Sequence, residues 1–448
     1  MELISELPFV GGFLASAIGF IIVLGVVVYV HEYGHYIVGR WCGIHADTFS
    51  LGFGPVLTSW VDKRGTKWQI AAFPLGGYVK FLGDADGSSR ADPDALDEMS
   101  AADQARSFQG ASVGRRSLTV AAGPVANFIL SAVIFAGIAM WSGVATDRPV
   151  IGQIADLPGE EVNLQDGDIV LSVNGTEISE FGEIYEIAND LPDAAPLDLR
   201  IDRDGRVQTV TVPYPLPPLV FNVEPLSAAS AAGLKPGDLI RSAGGVRLHS
   251  FGDLRDAVMG SGGETIPMDV QRGDEVIELT ITPREMERLN PDGTIETRVM
   301  IGVAGDALVF PQTSTPAPWT ALWIGAERVV DVITMSLTGI KHIIVGNLGA
   351  ENLQGPLGIA QISGESATQG IGNLISLIAV ISTAIGMLNL FPIPVLDGGH
   401  LLMFGYEALR GRPPAEAVMR VAMTVGLGMV LLLMVFATYN DLMRLALS

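Results

Sequence analysis

His31-Glu32-Tyr33-Gly34-His35 closes an apolar run, Phe9 to Val30, that contains no charged residue. A metal-binding signature therefore stands where hydrocarbon is expected. On a helix, two imidazoles four residues apart rise about 6 Å and share one face, as two ligands of a single Zn²⁺ must. Glu32 lies beside them, and a carboxylate there can take a proton from a metal-bound water whose pKa has dropped to about 7. Polar or ionisable side chains at the bilayer centre cost about 2.5 to 3.5 kcal/mol each on insertion scales, so three within five residues need a compensating partner such as a metal. Two histidines that merely pack would lack one. Arg40, the first fixed charge after the motif, comes nine residues beyond His31, about 14 Å along a helix, which places the site inside the membrane.

Composition fits a chain that is part membrane and part solvated. Hydrophobic residues make up 48% and charged residues 17% of 448, too long a chain for a simple anchor, so several domains are expected. The single cysteine, Cys42, excludes an internal disulfide and a zinc held by several thiolates. The first apolar run reads as a retained span rather than a removable signal, because no basic residue precedes it and it carries the metal motif.

Four spans are expected as helices: residues 9–38, 117–141, 371–395 and 421–440. Arg40, Lys63, Arg64, Lys67, Arg115 and Arg116 crowd the connection 39–116, and Arg410, Arg412 and Arg420 the loop 396–420. The positive-inside rule makes these two connections cytoplasmic, leaves residues 142–370 outside, and turns the metal motif towards the cytoplasm. Residues 317–348 are apolar at helical spacing, but Glu327, Arg328, Asp331, Lys341 and His342 interrupt them, so an amphipathic segment at the outer surface is expected rather than a fifth span.

Between Asp147 and Asp306 there are 29 acidic and 12 basic residues, most of the net charge of −22. This excess opposes nucleic-acid binding. The same region repeats: Asp166-Gly-Asp-Ile-Val-Leu-Ser-Val-Asn-Gly175 aligns with Pro236-Gly-Asp-Leu-Ile-Arg-Ser-Ala-Gly-Gly245, and Phe181-Gly182 with Phe251-Gly252, at one offset of 70. Two domains are expected, 148–214 and 217–285, each ending in paired strands. They resemble PDZ domains, most clearly at Ala231-Ala-Gly-Leu-Lys-Pro-Gly-Asp-Leu-Ile240, which implies capture of a peptide or protein ectodomain as an added strand. The first copy departs from the pattern at Val162-Asn-Leu-Gln-Asp-Gly-Asp168, and spacers that bind nothing are the competing reading.

A hydrolytic zinc site needs a third protein ligand and one open position. Asp397, in Asn389-Leu-Phe-Pro-Ile-Pro-Val-Leu-Asp-Gly-Gly-His400, is expected to end the third span with no opposite charge nearby in sequence, and a carboxylate there wants a cation. Pro392 and Pro394 break the helical ladder, which at membrane depth is tolerated only beside protein or a water-filled cavity. His400 reads as an interfacial or supporting residue, and Asn127 as a polar contact between packed spans.

The paired motifs at 31–35 and 389–399, on separate spans flanking the repeats, resemble the site-2 protease family of intramembrane zinc metalloproteases. The resemblance extends to Phe49–Pro55, Pro74–Lys80, Ala122–Asn127 and Gly355–Ala360. It implies a polytopic α-helical membrane protein of the bacterial inner membrane with two inserted α+β PDZ-like domains. His31, His35 and Asp397 would hold Zn²⁺ and Glu32 would act as general base. The implied substrate is a single-pass membrane protein already shortened outside, an anti-sigma factor in one branch of the family. A helical substrate hides its carbonyls in its own hydrogen bonds and must be unwound. Val56–Val61 and Lys67–Phe73 read as strands, with Leu75–Phe81 continuing as a re-entrant hairpin; an edge at Gly76, Gly77 and Tyr78 could hold the unwound chain, or the sheet could simply cover the site. Asn389, with Pro392 and Pro394, is the candidate for contacting substrate backbone. A metal transporter and a PDZ scaffold with an inactive metal site are the alternatives, and neither accounts for Glu32 beside two histidines together with the repeats.

Overall fold

The computed structural model describes residues 11–85, 96, 98–159, 162–191, 194–289 and 294–447, so residues 9 and 10 of the expected first span lie outside the described residues. Its helices are α1 (Gly11–Trp41), α2 (Ala101–Gln104), α3 (Val113–Ser142), α4 (Glu183–Asn189), α5 (Ala228–Ala231) and α6 (Phe251–Gly260). They continue with α7 (Pro318–Val345), α8 (Pro356–Thr368), α9 (Ile371–Asn389), α10 (Asp397–Arg410) and α11 (Glu416–Leu447). The chain divides into two compact units, one of Met1–Gly137, Pro318–Ile344 and Ala350–Ser448, the other of Ile138–Ala317 and Val345–Gly349.

Among the described residues, four helical stretches are long and apolar enough to cross a membrane: Leu14–Trp41, Val113–Ser142, Ile371–Asn389 and Ala417–Arg444. Small residues bring helices together. Gly19 lies against the Ser363 carbonyl and Gly364 against Ser16, so α8 seats closely on α1. The N-terminus of α8 is capped from the far end of the chain: the Gly355 and Gly358 amides donate to the carboxylate of Asp441 on α11, at 3.1 and 2.9 Å. On α7 the buried stripe Ala321, Gly325 and Val329 recurs every four residues, and Gly325 rests on the Ala132 carbonyl of α3.

Between α1 and α3, β1 (Ala46–Val61) and β2 (Lys67–Phe81) form more than a hairpin. Thr48–Leu51 faces Gly77–Lys80 on one side and Lys67–Ile70 on the other, while Val56–Val61 faces Lys67–Ala71. Strand character starts at Ala46, ahead of the expected Val56, and residues 77–81 fold back beside the start of β1. The reason is packing: Phe49 and Phe81 are buried with Tyr36 of α1, Phe108 and Val120 of α3.

Two expected boundaries are corrected. The third span ends at Asn389, not at residue 395, because Pro392 and Pro394 follow. The expected loop 396–420 is helical over Asp397–Arg410, so Asp397 begins a helix instead of ending one.

In the second unit each repeat builds the same four-stranded sheet. The first has β4 (Ile151–Ile154) leading into β5 (Ile169–Val173), β6 (Thr176–Glu177), β7 (Leu197–Arg203) and β8 (Arg206–Val212), in the order β6-β5-β7-β8. The second has β9 (Val220–Val223) leading into β10 (Leu239–Ala243), β11 (Val246–Arg247), β12 (Ile266–Arg272) and β13 (Glu275–Ile281), in the order β11-β10-β12-β13. The same ion pair braces both turns: Arg203 grips Asp168 through Nε and Nη2 at 2.7 and 2.6 Å, and Arg272 grips Asp238 at 2.7 and 2.7 Å. Burial opposes ionisation of Asp168, yet the guanidinium donors hold its carboxyl below the usual range.

The domain limits 148–214 and 217–285 are corrected as well. A hairpin of β14 (Arg284–Leu289) and β15 (Ile295–Met300) is followed by β16 (Val303–Gly305), which pairs with β9, so the second copy's core reaches Ile301 and Val303. Then β17 (Val309–Pro311) pairs with β4, and Leu308 and Val309 are buried in the first copy's core. The second copy is therefore inserted into the first. A last ladder, β3 (Val144–Ala145) with β18 (Thr313–Ser314), ends the unit.

Candidate metal centre

α1 runs without interruption through the motif, so His31 and His35 share a face, and both are buried. Two glycines let α3 approach that face: a Cβ at Gly34 would lie 2.4 Å from the Ala122 carbonyl oxygen, and one at Gly123 would lie 2.2 Å from His35 Nε2. α3 also sets the imidazoles. The Thr119 carbonyl, 2.9 Å from His35 Nδ1, can only accept, so Nδ1 carries the proton and Nε2 presents a lone pair. The Asn127 amide lies 3.3 Å from His31 Nδ1, with its Oδ1 buried and unpartnered. Exchanging the amide oxygen and nitrogen, a matter of assignment, gives Oδ1 a donor and fixes the same tautomer on His31.

Asp397 completes the group. Its Oδ2 is 3.2 Å from His31 Nε2 and 3.5 Å from His35 Nε2, and the two Nε2 atoms are 3.2 Å apart. In the tautomers just derived none of these contacts is a hydrogen bond, and Asp397 Oδ2 is buried without a donor. Three acceptor atoms within 4.8 Å of one another repel unless a cation lies among them. The donor set, two imidazole nitrogens and a carboxylate oxygen, suits zinc with a fourth position open.

Asp397 reaches this point because the turn after α9 is tight: Ile393 N–H donates to Phe391 O at 2.7 Å and Leu396 N–H to Ile393 O at 2.8 Å. Gly398 and Gly399 sit on the Leu390 and Ile393 carbonyls, where a Cβ would come within 2.2 Å of each. At the first turn of α10, the helix dipole adds to the stability of the carboxylate.

Glu32 lies on the adjacent face, close to Val79 of β2. Gly77 permits this approach, since a Cβ there would lie 2.9 Å from Glu32 Cγ and 3.0 Å from Val28 Cγ1. The β2 edge thus runs directly past Glu32. Gly76, at φ +148°, passes beside the Phe53 ring, and Tyr78 stacks on that ring while accepting from Gln69 Nε2 at 3.1 Å. Pro392 and Pro394 line an apolar cleft of about 410 Å³ with Leu402, Met403 and Tyr406. Asn389, the last residue of α9, is half-buried.

His400 lies outside the three-residue group, its Nδ1 3.2 Å from the Leu396 carbonyl. Asn127 differs from its expected role: it touches His31 as well as joining spans, its carbonyl accepting from Ser382 of α9 at 3.0 Å. Thr119 and Gly123 went unread as site residues. Gly123, at the head of Gly-Pro-Val-Ala-Asn127, had a usable signal, a glycine and an asparagine four residues apart on one helix face.

Comparison with known proteins agrees with this chemistry. The family described as Peptidase family M50 matches residues 19–433. A protein of Agrobacterium fabrum provisionally named a zinc metalloprotease is 37% identical over 441 residues, 97% of each chain. The regulator of sigma-E protease RseP of Escherichia coli K12 is 32% identical over 467 residues, 97% of this chain and 99% of its own. RseP of Salmonella typhimurium is 33% identical over 460 residues, 95% of this chain and 98% of its own. Among solved structures, the PDZ domain of an SdrC-like protein from Listeria monocytogenes is 23% identical and covers 19% of this chain and 84% of its own, at a TM-score of 0.16, too low to identify a fold. With a family match across most of its length and relatives of near-equal length, the chain belongs to peptidase family M50, the site-2 protease family, and is an intramembrane zinc metalloprotease.

Proposed function

We propose that His31, His35 and Asp397 hold the zinc and that Glu32 is the general base. The observation that carries this is the convergence of a ligand atom from each of His31, His35 and Asp397 within 4.8 Å of one another, with Glu32 next to His31 on the same helix. Zinc bound there supplies an acidified water and a Lewis acid for the scissile carbonyl. Glu32 takes the proton from the attacking water and delivers it to the departing amine. Thr119 and Asn127 keep the imidazole lone pairs inward.

The substrates are single-pass membrane proteins whose outer domains have been shortened. A span presented as a helix has no free carbonyl, so the Gly76-Gly77-Tyr78 edge takes the unwound segment as an added strand, with Asn389, Pro392 and Pro394 contacting it from the other motif. The name of the RseP relatives, regulator of sigma-E protease, supports an anti-sigma factor as the substrate here. The excess of Lys and Arg in 39–116 and 396–420 supports an inner-membrane orientation with the metal centre towards the cytoplasm and the two PDZ-like copies in the periplasm.

Substituting Glu32→Gln tests the reading: purified variant should keep one zinc per chain and fail to cleave a single-pass reporter that wild type cleaves. Wild-type cleavage by this variant would remove Glu32 from the mechanism. Loss of zinc would instead place Glu32 among the metal-holding residues.

A further inference from the structure

α10 carries Asp397 in its first turn, yet little of the helix is buried. Of its 14 residues the buried ones are Gly398, Gly399 and Phe404. The two glycines belong to the turn that leads into the helix, so Phe404 marks a second place where α10 is held. Asp397, Leu401, Phe404 and Glu407 recur at spacings of four, three and three, along one face of the helix. The face that presents the carboxylate to His31 and His35 is therefore the face that packs, with Phe404 buried beside Phe81, Phe108 and Val120 and Leu401 half-buried against the same cluster.

Arg116, in the first turn of α3, closes on that face from 291 positions away in sequence. Its Nη2 donates to Glu407 Oε1 at 2.7 Å, its Nε donates to the Ala111 carbonyl at 3.2 Å, and its guanidinium carbon lies 5.0 Å from the centre of the Phe404 ring. The two side chains are 11% and 16% exposed, so the pair is sheltered from the water and salt that leave surface pairs nearly worthless. A planar guanidinium can stack and donate from two nitrogens at once, which an ammonium cannot. α3 is also the helix whose Thr119 carbonyl and Asn127 amide orient His35 and His31, and whose Gly123 lies against both rings. One helix thus sets the imidazoles and, through Arg116, grips the helix that brings the carboxylate.

We infer that Arg116 and Glu407 are positioning residues for the metal centre: their pairing over Phe404 fixes the roll of α10, and so the direction from which Asp397 meets the two imidazoles. This inference rests on reading His31, His35 and Asp397 as the zinc-holding set. The turn at Gly398 and Gly399 is a pivot at one end of α10, and Glu407, ten residues beyond Asp397, lies about 15 Å along the helix. Two such points fix both the axis and the rotation of a helix. With the far point removed, the turn alone must hold Asp397 against the mutual repulsion of the three acceptor atoms.

The test measures the zinc affinity of the full chain in detergent against buffered free zinc, together with the visible spectrum of the cobalt(II)-loaded protein, which reports the geometry of the donor set. Glu407→Ala should weaken zinc binding about tenfold, the lower end for outer partners of a metal site, and should alter the cobalt spectrum. Arg116→Lys keeps the charge without the stack and should fall between Glu407→Ala and wild type. Arg203→Ala breaks an ion pair of similar length in the other unit, so it controls for general destabilisation and should bind both metals as wild type does. Arg116→Glu and Glu407→Arg should each weaken zinc binding, and the double exchange should bind more tightly than either, which tests the pair even where Glu407→Ala fails to fold. A Glu407→Ala chain that melts earlier but keeps wild-type zinc affinity and cobalt spectrum would overturn the inference, as would a double exchange no tighter than its single variants. Asp397→Ala is run alongside. If it binds zinc like wild type, the ligand set is misread and the inference falls with it; if it loses zinc while Glu407→Ala does not, the inference alone falls.

Discussion

Gly123→Ala should cripple the metal centre even though helix propensity predicts the reverse. In a helix interior alanine is favoured over glycine by about 1 kcal/mol. The added Cβ, however, would lie 2.2 Å from His35 Nε2, 2.5 Å from His35 Cε1 and 2.9 Å from His31 Cε1. The first distance is 1.2 Å short of the 3.4 Å at which ordinary contact begins. His35 has little room to yield, because its Nδ1 is tied at 2.9 Å to Thr119 O, one turn earlier on α3. Either the ring turns off the metal axis or α3 backs away from α1. Overpacking of this kind costs about 1 to 3 kcal/mol, and if the strain falls on the metal-holding ring, zinc affinity drops about 5- to 150-fold. The assay is zinc per chain across a series of buffered free-zinc concentrations, run beside Gly137→Ala, a site on the same helix with nothing within 4 Å of its would-be Cβ. The Gly137 variant should match wild type. If Gly123→Ala binds zinc and cleaves as wild type does, the proximity of Gly123 to the two imidazoles is not what the structure implies, and the argument fails.

Three further outcomes are expected. Asp397→Ala should lower zinc occupancy by at least about tenfold, the usual minimum cost of disturbing a metal site, whereas His400→Ala should retain most of the metal; a reversed pair of zinc contents would move the third ligand to His400. Asp441→Ala removes the acceptor from two buried amides, at about 1 to 3 kcal/mol each, so hydrogen exchange at Gly355 and Gly358 should accelerate markedly; unchanged exchange would show that α8 is capped by other means. Asp84, almost wholly buried near the Phe81 amide, has its carboxyl pushed by burial up to about 8. A raised folded-state pKa stabilises below the unfolded value and loses that contribution as pH climbs, so wild type should lose stability relative to Asp84→Asn between about pH 4 and pH 8. Parallel thermal-unfolding profiles of the two proteins across that range would contradict this.

Much of the site was legible because its signals are local. His31, Glu32 and His35 fall within two turns of one helix, and the periodicity of that helix alone puts both imidazoles on one face. The four long apolar segments, the acidic insertion and its 70-residue repeat are likewise properties of composition and spacing. Asp397 stands out in the sequence as a carboxylate with no opposite charge nearby, but its position at the head of α10 does not, since the length of the turn after Pro392 and Pro394 depends on Gly398 and Gly399 meeting the Leu390 and Ile393 carbonyls.

Tertiary structure alone decided contacts between segments far apart in the chain. Asn127 meets His31 across 96 residues, Asp441 caps α8 across 83 and 86, and Val309 closes the first repeat from beyond the whole of the second. The alternation of apolar and polar residues records which face of an element is buried, but not which distant element buries it. A single glycine, asparagine or aspartate making one long-range contact leaves no period to read. For that reason the sequence by itself pointed to the chemistry and the membrane spans of this protein, while the packing of α1, α3 and α10 decided how the candidate metal centre is shaped and the insertion of one repeat into the other decided where each repeat's core ends.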